Sequence, residues 1–125
     1  MYQYKARHLR VVDGDTLDVE IDLGFGIITR QRVRLKGIDT PETYGVKKSS
    51  EEYQAGLKAK ERVKNVLDTC VIHHGHFLIE TSKKGKFGRW LAEITLPHFV
   101  TASGETISWS LNALLLEEGL AKPYN

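Results

Sequence analysis

Apolar and polar residues alternate on both sides of Gly24-Phe25-Gly26, and that pattern restricts the possible folds of this chain more than any other feature. Leu17, Val19 and Ile21 fall on one face of a strand running from Thr16 to Leu23. From Ile27 to Gly37, Val33 and Leu35 fall on one face and Arg32, Arg34 and Lys36 on the other. A period of two is the side-chain repeat of a β-strand. A turn as short as Gly24-Phe25-Gly26 joins two such strands into an antiparallel hairpin, and a pivot near Phe25 makes paired residue numbers sum to about 50. Asp15 then lies roughly opposite Leu35, Arg34 lies near Thr16, and Asp39 falls just past the same end. Gly37 lets the chain bend there, bringing Asp39 and Glu42 back toward Asp15. Phe25 itself is either an exposed tip that touches a partner or a ring packed back on the sheet.

The rest of the chain supplies three more strands and two helices. Tyr4 to Val12 reads as a strand. Ser49 to about Thr69 reads as a helix, started by the capping-box pair Ser49 and Glu52. Ala55, Ala59, Val63, Val66 and Leu67 recur along it at helical spacing. Val71 to Thr81 and Arg89 to Leu96 read as strands around a lysine- and glycine-rich turn, with Pro97 ending the second. Pro97 to Glu105 reads as a surface loop. Ile107 to Glu118 reads as a helix carrying Trp109, with Leu111, Leu114 and Leu115 inward and Gly119 as its stop. The order of three strands, helix, two strands, helix predicts a mainly β fold, a five-stranded OB-fold barrel with two or three α-helices. With 125 residues and no repeat or linker, residues 1–125 are expected to form a single domain.

Composition excludes some classes. Hydrophobic residues make up 41% and charged residues 27%, the balance of a soluble globular protein. No apolar run is long enough to span a membrane, and no membrane partner is expected. Met1 to Arg7 lacks the apolar stretch of a secretory signal, so a cytoplasmic monomer is expected, with secretion open if a segment precedes Met1. Cys70 is the single cysteine, which leaves no internal disulfide and no cysteine-based zinc site. His73, His74 and His76 would lie on a strand with no cysteine or carboxylate to complete a zinc set. The net charge of +2 is mild, but Lys47-Lys48 and Lys83-Lys84-Gly85-Lys86 concentrate it. Such clusters either attract phosphate or solvate two loops.

Three segments carry the chemistry: Val12-Asp13-Gly14-Asp15-Thr16, Arg34 through Asp39-Thr40-Pro41-Glu42, and Lys86-Phe87-Gly88-Arg89. Alone, each has an ordinary explanation as a turn, a helix start or a hairpin loop. Together, the hairpin register crowds Asp15, Asp39 and Glu42 around Arg34. Carboxylates that close repel, and a fold tolerates them best with a cation between them. In order and separation the three segments resemble the staphylococcal nuclease (thermonuclease) family. The resemblance covers nearly the whole chain, including the first helix and the ending Asn112-Ala113-Leu114 through Gly119-Leu120-Ala121-Lys122.

The resemblance implies a Ca²⁺-dependent nuclease that hydrolyses phosphodiester bonds in DNA or RNA and leaves 3′-phosphate ends. It assigns Asp15, Asp39 and the Thr40 carbonyl to Ca²⁺, Glu42 to the general base, and Arg34 and Arg89 to the charge developing on phosphate. It assigns Lys86, Phe87 and Tyr124 to substrate contacts, although an exposed turn lysine is the more common role for Lys86 and Phe87 is equally a ring shielding its turn. The chain departs from the family pattern at Gly85, where an aspartate is usual. The alternatives are a catalytically silent nucleic-acid-binding OB-fold module and a single-strand binder using Phe87 and the lysines. Retention of Asp15, Arg34, Asp39, Glu42 and Arg89 together favours the enzyme.

Overall fold

The computed structural model describes residues 2–84, 88–100 and 106–124. Its centre is the expected hairpin. β2 (Thr16–Gly24) and β3 (Ile27–Leu35) pair antiparallel, Thr16 opposite Arg34 and Asp22 opposite Ile28, in the register that the alternation predicts. β1 (Gln3–Asp13) pairs with the other side of β2. β4 (Ile38–Asp39) follows the bend at Gly37, and α1 (Glu51–His74) follows it in sequence. β5 (Phe77–Lys84) pairs with β1, and β6 (Trp90–Val100) pairs with β5.

β6 then returns to β3 in parallel, Val33 opposite Trp90 and Leu35 opposite Ala92. That pairing closes a five-stranded, OB-fold-like barrel in the order β1-β2-β3-β6-β5. Closure leaves these five strands without a free edge. β7 (Thr106–Ser110) adds to β6, α2 (Leu111–Glu117) follows at once, and β8 (Lys122–Pro123) pairs with β4. Leu17, Val19, Val33, Leu35, Ile79 and Ile94 fill the interior, and α1 packs Ala59, Val63 and Leu67 against it. Asn112, buried at the start of α2, donates to the carbonyls of Lys36 and Ala92 and accepts from the Ile94 amide.

Several expectations are corrected. The N-cap of α1 is Ser50, not Ser49; its hydroxyl accepts from the Tyr53 amide at 3.1 Å. Ala55 is exposed, and Gly56 takes the inward place. The helix continues to His74, because Cys70 extends the buried stripe although β-branched Val71 and Ile72 favour a strand. Gly75, at φ 78°, ends it by donating to the Val71 carbonyl. His73 and His74 therefore occupy the last helical turn and share no strand with His76.

The second helix begins at Leu111, and Trp109 lies on β7. Residues 106–110 pair with β6, and the Ser110 hydroxyl caps α2 by accepting from the Ala113 amide. Pro97 does not end β6: the strand passes it at an irregular step between Leu96 and Phe99, where no ladder donor is needed. Residues 101–105 of the expected loop lie outside the described residues. Gly119 closes α2 as expected, at φ 72°.

At the hairpin tip, Gly24, Phe25 and Gly26 all have positive φ, and the Phe25 ring is fully exposed. Its left-handed backbone costs about 1–2 kcal/mol and no burial offsets it. Phe25→Gly is expected to stabilise the fold by about 0.5 kcal/mol, after subtracting the entropy glycine adds to the unfolded chain. A lower urea midpoint for the variant would contradict this. On another face, Arg62 of α1 makes a bidentate pair with Glu118 at 2.8 and 2.7 Å, which holds the Glu118 carboxyl below its ordinary value of 4.5. A lowered carboxyl adds stability above its unfolded pKa and loses it as pH falls through the folded one. Glu118→Gln should cost about 0.5 kcal/mol at pH 7, and urea titrations should find the difference shrinking as pH falls below 4.5.

Candidate functional site

Asp15 sits in the β1–β2 turn and is 4% exposed. A carboxylate so placed needs donors on its oxygens. Oδ2 accepts from the Thr40 amide and from Arg34 Nη1, both at 3.1 Å, and Oδ1 accepts from the Thr16 hydroxyl at 3.1 Å. Arg34 is delivered by the strand period: Val33 and Leu35 point into the barrel, so Arg34 points out at its end. Its Nη2 donates to Asp39 Oδ1 at 3.3 Å and to the Ile38 carbonyl at 3.2 Å. One guanidinium thus bridges Asp15 and Asp39.

The C-terminal segment completes this wall. Asp39 is opposite Lys122 across the β4–β8 pair, and the Tyr124 amide donates to the Gly37 carbonyl. The Tyr124 ring then lies 4.9 Å from the Arg34 guanidinium carbon, a cation–π contact. Arg89, just before β6, is brought to the same end by the parallel β3–β6 pairing, and its Nη1 donates to the Thr16 hydroxyl at 3.4 Å. Lys86 and Phe87 lie outside the described residues.

Glu42 stands at the exposed rim. Partial desolvation, and then repulsion from Asp13, Asp15 and Asp39, push its carboxyl above the usual range, with Arg34 opposing. The concentration of negative charge and the oxygen-only donors fit a hard divalent cation. Among the described residues, however, no three His, Cys, Asp or Glu side chains converge on one point that could hold a metal ion. In this arrangement the Arg34 guanidinium lies between Asp15 and Asp39. The Thr40 hydroxyl is buried without a partner among the described residues.

Three residues that the sequence pattern marks only as turn or helix positions shape this site. Asp13 accepts from the Thr43 hydroxyl, tying the Glu42 segment to the end of β1. Gly14 leaves room for close approach: a Cβ there would lie 2.9 Å from both Ala59 and Thr40 side-chain carbons. Gly56 does the same beneath the Pro41–Thr43 segment, where a Cβ would lie 2.7 Å from the Pro41 carbonyl oxygen. The signal available for Gly56 was a lone glycine inside a helical pattern, which usually marks close packing.

The family model "Staphylococcal nuclease homologue" matches residues 32–125. The chain belongs to this family. Asp15 precedes the matched stretch, and its bonds to Arg34 and Thr40 join it to the matched residues. An uncharacterized protein of Methanocaldococcus jannaschii is 32% identical over 137 residues, covering 97% of this chain and 59% of that protein. Endonuclease YhcR of Bacillus subtilis (strain 168) is 30% identical over 128 residues, covering 98% of this chain and 9% of that protein. The chain thus spans under two thirds of each of these relatives.

The Gly56 contact has a measurable consequence. In an open helix interior, Gly→Ala gains about 1 kcal/mol. Here Gly56→Ala should instead destabilise the fold by about 1–3 kcal/mol, the range for overpacking. A higher melting temperature for the variant would contradict the clamp between α1 and the Pro41–Thr43 segment.

Proposed function

We propose that this domain is a Ca²⁺-dependent nuclease that hydrolyses phosphodiester bonds in DNA or RNA, leaving 3′-phosphate ends. The observation that carries the reading is Arg34 bridging Asp15 and Asp39 beside Glu42, a carboxylate whose proton affinity is raised by partial desolvation and then by its acidic neighbours. Family membership and the endonuclease relative support it.

Asp15 and Asp39, with the Thr40 carbonyl, would hold the Ca²⁺. When bound, the ion supplies positive charge to a phosphate oxygen and to the water that attacks phosphorus. Glu42 accepts the proton of that water as the water oxygen bonds to phosphorus and the bond to the 5′ oxygen breaks, the leaving 5′ oxygen taking a proton from solvent. A raised proton affinity suits this role, since an acceptor works best when its pKa approaches the working pH. Negative charge then grows on the equatorial oxygens, and the forked donors of Arg34 and Arg89 meet it. Arg34, bonded here to Asp15 and Asp39, would have donors free for phosphate if those carboxylates held the ion. Tyr124 stacks against the Arg34 guanidinium and limits its swing. Lys86 and Phe87 complete the substrate contacts, Phe87 by stacking on a base.

Incubation of the purified chain with single-stranded DNA and RNA, in Ca²⁺ or in chelator, tests this. Wild type should cut only with Ca²⁺, and Glu42→Gln should cut at least about 100-fold more slowly, the scale of a missing general base. Arg34→Ala or Arg89→Ala should lose about 3 kcal/mol of transition-state stabilisation. Strand binding without cutting, equal in wild type and Glu42→Gln, would replace the enzyme with the silent nucleic-acid-binding module.

A further inference from the structure

β3 carries Arg30, Arg32 and Arg34 at alternate positions, so they share a face and step along it by about 6.6 Å. That step is comparable to the distance between successive phosphates in an extended strand. The neighbouring strands extend the pattern sideways. On β2, Glu20 pairs with Arg30 on one side and Arg7 on the other, Asp18 with Arg32 and Arg10, and Asp22 lies opposite Lys5. Five cations, Lys5, Arg7, Arg10, Arg30 and Arg32, therefore flank three carboxylates, Asp18, Glu20 and Asp22.

The cations lie outermost. The Arg30 side chain is 74% exposed against 16% for Glu20, and Arg32 50% against 28% for Asp18. Arg32 spends two of its five donors on Asp18, at 2.8 and 3.1 Å, so it is braced and still able to donate. A ladder serving only the sheet would gain from balanced cross-strand pairs, and it would need neither the excess of cations nor their placement above the acids. Nor does sheet stability explain the hairpin tip. There the Phe25 ring is fully exposed on a left-handed backbone, with Leu23, Ile27 and Ile28 also exposed.

We propose that the outer face of β1, β2 and β3 is a track for the phosphodiester backbone of a single-stranded nucleic acid, leading from Arg34 past Arg32 and Arg30 to Phe25. The direction of the track rests on the nuclease reading; its charge does not. Asp18 and Glu20 are positioning residues that hold the guanidinium groups upright. Phe25 offers a base a stacking surface that is indifferent to sequence. The carboxylates threaded between the arginines disfavour an anionic bilayer as the partner of the same face, since a flat charged surface would meet both signs, whereas a single strand can follow the cations.

Fluorescence anisotropy of a labelled thymidylate dodecamer and trimer, titrated with KCl in chelator so that nothing is cut, reads the track directly. Replacing Arg30→Gln and Arg32→Gln together should weaken dodecamer binding at least tenfold and reduce the salt slope by about 1.4, at roughly 0.7 for each phosphate of a single strand that is no longer neutralised. The trimer should be weakened less. Arg30→Lys with Arg32→Lys should retain most of the salt slope, which separates an effect of charge from a failure to fold. Phe25→Gly should weaken dodecamer binding by roughly tenfold, within the range for one base–aromatic stack. A folded double glutamine variant with unchanged affinity and slope would overturn the track. So would binding to anionic phospholipid vesicles that is abolished in Phe25→Gly while dodecamer binding stays intact. If wild type fails to cut any strand in Ca²⁺, the proposed chemistry falls, while the anisotropy comparison still decides the track because it needs no cleavage.

Discussion

A buried aspartate organises one end of this molecule. Asp15 is nearly sealed from water, and a lone carboxylate there would be too costly to keep ionised. Its oxygens are met by the Thr40 amide, the Arg34 guanidinium and the Thr16 hydroxyl, donors drawn from three separate stretches of chain. Satisfying Asp15 therefore requires the β2–β3 register, the bend at Gly37 and the seating of Thr40 against Gly14 all at once. The candidate site is a by-product of the same demand. Asp39 and Glu42 are carried to Asp15 because the segment that supplies the Thr40 amide carries them too.

How much of this could be read in the sequence follows from what kind of signal each part leaves. The hairpin register was legible, because side-chain alternation allows few pairings and places Thr16 against Arg34. Asp15, Arg34 and Asp39 came with it. The place of Arg89 was legible only through the family resemblance, since nothing local to Gly88-Arg89 announces a parallel pairing of β3 with β6. The continuation of α1 to His74 was hidden because Val71 and Ile72 favour a strand, while the buried Cys70 and the Gly75 stop outweigh them. Asn112 was marked only by the family resemblance, and its bonding was not legible. Its three backbone partners, Lys36, Ala92 and Ile94, come together only after folding.

Charge is sorted in the same economical way. On the outer face of the sheet Asp18 and Glu20 of β2 lie lower than the arginines of β3 that pair with them. At the barrel end the order is reversed: an arginine lies among carboxylates, less exposed and bound to two of them. Both arrangements use alternate residues of β3. One strand thus links a surface whose cations face solvent to a cluster whose acids outnumber the cation between them, with no insertion or extra element.

The parallel seam between β3 and β6 is also a costly one to close. The β1–β2–β3 meander needs only neighbouring segments, so Asp15, Thr16 and Arg34 can meet early. Val33 and Trp90 are separated by the whole of α1 and β5, and closing so long a loop costs entropy before any contact returns it. Arg89 immediately precedes that strand. A chain with that seam open would hold Asp15 and Arg34 together without the second arginine, so closing the seam also completes the guanidinium pair.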